Sequence, residues 1–120
     1  MQNLVAAFCN SIRGIVSASR TERAVRQELV LLLVAIPAAL LISPHRWMRV
    51  CLIGVILLTL AVELLNTALE KLCDHVTPHW HPAIGSIKDM GSAAVFCMLL
   101  LICIVWGTAL LEYVHLKGAW

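Results

Sequence analysis

The stretch VCLIGVILLTLAVELLNTALEKL, residues 50–72, decides how the rest of the chain is read. From Val50 to Val62 it has no charged side chain, and then Glu63 and Glu70 interrupt a run that stays apolar on its other faces. A helix needs about 20 mostly apolar residues to cross a bilayer, so this stretch spans only if both glutamates belong to it. At 100° per residue, Glu63, Asn66, Thr67, Glu70 and Asp74 fall at about 0°, 300°, 40°, 340° and 20°, on one face. Rising ~1.5 Å per residue from Val50, Glu63 sits roughly 20 Å into a ~30 Å hydrocarbon layer, and Glu70 about 10 Å further on, near water. A charge at the centre of such a helix costs at least ~2.5 kcal/mol, so the stripe should face other helices and mark a working site.

Two further apolar stretches lie outside it: Leu29 to Ser43, and Met90 to Leu111. The last is an uncharged run of spanning length. The first is short, but Arg26 and Glu28 can reach toward the interface, and Pro37 is tolerable within a membrane helix. The 120 residues are 61% hydrophobic and only 13% charged, where a soluble domain has about 25% charged residues, which disfavours a soluble helical bundle. The reading is an all-α membrane protein, one unit over 1–120, with spans at about 27–43, 48–72 and 89–113. The residues before the first span lack the apolar core and small-residue cleavage site of a removable signal peptide and are expected to stay. Five cysteines, at 9, 51, 73, 97 and 103, form no CxxC pair and read as structural. A net charge of +2 without a basic, aromatic-interleaved stripe gives no reason to expect a nucleic acid partner.

The arm at about 4–23 places Leu4, Val5, Phe8, Ile12, Ile15 and Val16 at near-helical spacing with Asn10, Arg13 and Arg20 among them. That pattern fits an amphipathic helix lying in the interface, and a plain surface anchor would show the same periodicity. Residues 73–89, with Thr77-Pro78, His81-Pro82 and Gly85-Ser86, read as a loop. The arm and this loop share one side and carry Arg13, Arg20, Arg23, Arg26, Lys71 and Lys88, against Arg46, Arg49 and Lys117 on the other. A six-to-three bias makes the first side cytoplasmic. All acids but Glu112 fall in that half too.

Carboxylates graded from bilayer to water suit phosphoryl transfer to a lipid-level hydroxyl. A hard cation such as Mg²⁺ takes one or two carboxylates plus substrate phosphates and would sit at the wet end, while a deeper carboxylate would act as general base. At the third span, Lys88 offers phosphate a point charge, Asp89 can cap the helix, and Gly91, Ser92, Ala93 and Ala94 allow close approach.

The motifs ELLNTALE (63–70) followed by Asp74, and KDMGSAAV (88–95), together with Glu22 and Arg26-Gln27-Glu28, resemble the signature of the prokaryotic diacylglycerol kinase family. The resemblance covers about residues 10–115. It implies a homotrimer of three-span subunits with an N-terminal surface helix in the bacterial inner membrane, transferring the γ-phosphate of Mg-ATP to diacylglycerol. It further implies Glu63 as catalytic base with Asn66 orienting the reacting groups, and Glu22 and Glu70 as metal ligands. Nucleotide contacts would come from Asn10, Arg13, Glu22, Glu70, Asp74, His79, Trp80, His81, Lys88 and Asp89. Arg26, Glu28, Glu63 and Ser92 would meet the lipid. The chain departs from the pattern at Asn3 and Ala6, where some members place basic residues, at Val25, which replaces an aromatic, and at His79 and Trp80.

Three other readings stand beside this one. Related kinases phosphorylate undecaprenol, a long alcohol with one interfacial hydroxyl. A zinc-binding or regulatory membrane protein would use Cys73, His75, His79 and His81, and a purely structural protein would use the stripe only to hold helices together.

Overall fold

The computed structural model describes residues 2–118 and is helical almost throughout: α1 (Gln2–Thr21), α2 (Arg23–Ile42), α3 (Arg46–Val76) and α4 (Pro82–Gly118). Three of these helices, α2 to α4, are long and apolar enough to cross a membrane. At ~1.5 Å per residue, the 31 residues of α3 and the 37 of α4 run well past a ~30 Å hydrocarbon layer, so both project polar turns beyond it.

The helix limits differ from several expected ones. The arm stops at Thr21, and Glu22 takes extended backbone (φ −116°, ψ 116°) before α2 starts at Arg23, several residues earlier than 27. The helix that holds the expected second span, 48–72, continues past it at both ends, and the helix that holds the third, 89–113, runs from Pro82 to Gly118. The expected loop over 73–89 shrinks to residues 77–81. The reason lies at its far end. Pro82 takes the first helical position, where its fixed φ suits a helix and its missing N–H is no loss. The preceding His81 caps the helix: its Nδ1 accepts from the Ala83 N–H at 3.1 Å, and its carbonyl from the Gly85 N–H at 2.9 Å. Asp89 therefore lies two turns inside α4 and does not cap it.

Helix α3 is the hub. It packs mainly against α4 and α2, and α1 rests on α2 and α3. Small residues of the outer helices meet larger ones of α3 in three layers: Ala18 and Val25 on Leu60; Ala35 on Val55 and Ile56; Ala39 and Ala109 on Leu52. The Trp106 indole N–H ties α4 to α3 by donating to the Leu52 carbonyl at 3.1 Å. Most remaining apolar side chains of α2 and α4 are exposed, among them Leu33, Leu41, Ile104 and Leu111. In water that surface would aggregate; lipid or other subunits must cover it.

At the end of α2, Arg49 reaches back from α3, its Nε donating to the Ser43 carbonyl at 2.7 Å and its Nη2 to the Leu40 carbonyl at 3.1 Å. These are carbonyls that a helix C-terminus leaves without intrahelical donors. Arg49→Met keeps the stem and removes both bonds. It is expected to lower unfolding stability in detergent by about 1–2 kcal/mol, read as the shift of a denaturant midpoint, with no loss of activity in the folded fraction.

Candidate active site

The polar face of α3 is present as a gradient. Glu63 is 8% exposed and Thr67 is buried with it; Asn66 and Glu70 are half-buried; Asp74 is exposed. The carboxylates of the stripe thus pass from buried at Glu63 through half-buried at Glu70 to exposed at Asp74. The Asn66 Nδ2 donates to Glu70 Oε1 at 3.2 Å, one turn away along the same face.

Helix α2 adds two carboxylates. Glu22, at the break before α2, and Glu70 both impose their negative charge on Glu63, and Glu63 does the same to Glu28, which is half-buried. Glu63 therefore lies within electrostatic reach of three other carboxylates. Three cations of this region are engaged by other groups. Lys88 pairs with Asp74, the one ion pair among the described residues. Lys71 donates to the Thr21 hydroxyl at 2.9 Å, and Arg26 donates to the carbonyls of Ser19 and Arg20 at the end of α1. One oxygen of Glu28, Oε2, is buried and accepts no hydrogen bond. Buried carboxylate oxygens are costly without a partner, so this group suits a proton, a hydroxyl or a hard cation.

Among the described residues no three His, Cys, Asp or Glu side chains are gathered as ligands to one metal. That argues against a closed zinc site at Cys73, His75, His79 and His81; Cys73 is buried while the three histidines are exposed.

The remaining expected residues are spread more widely. Asn10 and Arg13 hydrogen-bond to each other on exposed α1. His79 and Trp80 are exposed in the 77–81 turn, and His81 is occupied as a cap. Asp89 and Ser92 are exposed on α4. Between α1 and α3 runs an open, mainly apolar groove of about 410 Å³, lined by Ser11, Gly14, Ile15, Leu64, Thr67 and Lys71. Sequence reasoning missed this groove and the Lys71 to Thr21 tie, which joins residues 50 apart and leaves no local trace.

A model of the family described as prokaryotic diacylglycerol kinase matches residues 9–110. A protein of Pseudomonas aeruginosa named diacylglycerol kinase is 42% identical over 111 residues, covering 92% of this chain and 90% of its own length. Proteins of the same name from Haemophilus influenzae and Escherichia coli K12 are 35% and 36% identical, over 89% and 86% of this chain and 91% and 84% of theirs.

Proposed function

Since this chain belongs to the prokaryotic diacylglycerol kinase family, we propose that it transfers the γ-phosphate of ATP to the free hydroxyl of diacylglycerol, giving phosphatidic acid. One observation of the molecule carries this reading: Glu63, buried at membrane depth, shares its surroundings with Glu22, Glu28 and Glu70. Such a group is too costly to keep as mere packing and suits a proton acceptor facing a lipid hydroxyl.

In this reading the lipid's acyl chains approach along apolar helix faces, the α1–α3 groove offering one such surface, and Glu28, Arg26 and Ser92 flank the headgroup. Glu63 accepts the hydroxyl proton as the oxygen attacks the γ-phosphorus and ADP leaves, so its carboxylate returns to charge only after the proton passes to water. Glu22 and Glu70 would hold Mg²⁺, which would supply positive charge to offset the negative charge that builds on the transferred phosphoryl group. Asn66 keeps the Glu70 carboxylate oriented. Lys88 leaves Asp74 to meet a phosphate as a point charge. Asp74 and Asp89, the turn residues His79, Trp80 and His81, and Asn10 and Arg13 on α1 complete the nucleotide side.

Membrane topology follows the distribution of basic residues, with α1 lying in the cytoplasmic interface of the bacterial inner membrane and the 77–81 turn on the same side. A homotrimer would cover much of the exposed apolar surface of α4, where Ala109 alone among the described residues is buried within the chain.

The deciding experiment is transfer of labelled γ-phosphate from ATP into diacylglycerol and, separately, undecaprenol by the purified protein, with Mg²⁺ present or chelated. Diacylglycerol is expected to be labelled, and only with Mg²⁺. Predominant labelling of undecaprenol would replace the substrate, and labelling of neither lipid would overturn the kinase reading.

A further inference from the structure

The α3–α4 contact beside the carboxylates turns on a glycine. A Cβ built on Gly91 would fall on Oδ1 of Asn66, and would lie 3.3 Å from Asn66 Cγ and 3.2 Å from Leu69 Cδ2. The amide oxygen thus occupies the space that any side chain at 91 would take. That oxygen is buried and has no hydrogen-bond partner, while the amide nitrogen of the same side chain donates to Glu70.

No backbone requirement explains the glycine. No described glycine has positive φ, and Gly91 lies in the interior of α4, where glycine is less favourable than alanine by about 1 kcal/mol. Gly107, in the same helix, has nothing within 4 Å of an added Cβ. Among the described glycines, only at 91 does a neighbour stand in the way. Leu69 could move its terminal methyl cheaply. Asn66 could not move its amide so freely: a turn about its last torsion swings the nitrogen away from Glu70, and a shift of the whole side chain withdraws it.

We propose that Gly91 is a positioning residue for this site: by leaving room for the Asn66 amide between α3 and α4, it fixes the hydrogen bond that orients the Glu70 carboxylate. The proposal rests on the reading of Glu70 as a metal ligand for its effect on turnover, but not for its effect on packing. Groups that orient a ligand from behind typically contribute 10–100-fold to metal affinity or activity.

The test compares full-length Gly91→Ala, Asn66→Ala and the double variant. Three quantities are read: the Mg²⁺ concentration for half-maximal lipid phosphorylation, binding of Mn²⁺-ATP by electron paramagnetic resonance, and the thermal unfolding midpoint in detergent. Gly91→Ala is expected to raise the Mg²⁺ requirement and weaken Mn²⁺-ATP binding about tenfold, and to lower the midpoint. Asn66→Ala should weaken binding to the same degree. The double variant should be no worse than Asn66→Ala and should regain the midpoint lost in Gly91→Ala, because deleting the amide clears the space for the added methyl.

Wild-type metal dependence and binding in Gly91→Ala, or a double variant showing the product of the two single effects, would overturn the proposal. If Gly91→Ala fails to fold, the double variant decides: folding supports the proposal and failure to fold refutes it. Glu70→Gln separates this from the reading of Glu70. Unchanged metal dependence in Glu70→Gln removes the metal role, whereas the recovered midpoint of the double variant tests the packing alone.

Discussion

Glu63→Gln is expected to lower phosphoryl transfer to diacylglycerol by roughly 10²–10⁴-fold, the usual worth of a positioned general base, while the protein still folds. Glutamine matches glutamate in shape, so the layer of Ala18, Val25 and Leu60 that packs on this part of α3 is undisturbed. What changes is charge. Glu63 stands in the field of Glu70 and Glu22 and adds to that on Glu28, so neutralising it relieves repulsion among these carboxylates. Stability should therefore stay level or rise as activity falls. A stripe that served only to hold helices together would give the opposite pattern, with stability changed more than turnover. Both quantities come from one preparation: initial rates at saturating ATP and lipid, and the unfolding midpoint in detergent. Substantial remaining activity would remove Glu63 from the role of base.

How much of this was legible in the sequence depended on the range over which each feature is encoded. The three spans and the shared face of Glu63, Asn66, Thr67, Glu70 and Asp74 follow from hydropathy and helical period, which are local. The helix ends did not follow. Hydropathy reports where a chain leaves the hydrocarbon, and nothing requires a helix to stop there; α3 continues through Lys71, Asp74 and His75, and α4 begins before the bilayer does. The Gly85-Ser86 pair, read as a turn, sits within α4 because Pro82 and the His81 cap had already started the helix. Long-range pairings were the least visible. Glu28 comes near Glu63 only through the packing of α2 on α3, and motif resemblance, not periodicity, had singled it out. The small run 91–94 signalled close approach, but not that Gly91 would face Asn66.

Glu70→Gln should act on the metal and not on the proton. Glu70 is half-buried, nearer the wet end of the stripe, and its Oε1 accepts from Asn66 Nδ2. A glutamine amide oxygen can accept the same hydrogen bond, so the side chain keeps its direction and loses only its charge and one anionic ligand atom. Mg²⁺ binds through few protein carboxylates and relies on substrate phosphates for the rest, so removing one of two should matter greatly. The Mg²⁺ concentration for half-maximal activity is expected to rise by at least about tenfold, with part of the rate recovered at high Mg²⁺. Glu63→Gln should show no such recovery, because added metal cannot replace a base. The two profiles, rate against Mg²⁺ at fixed ATP, thus distinguish the roles within one face of one helix. A metal requirement unchanged by Glu70→Gln would remove Glu70 from the role of metal ligand.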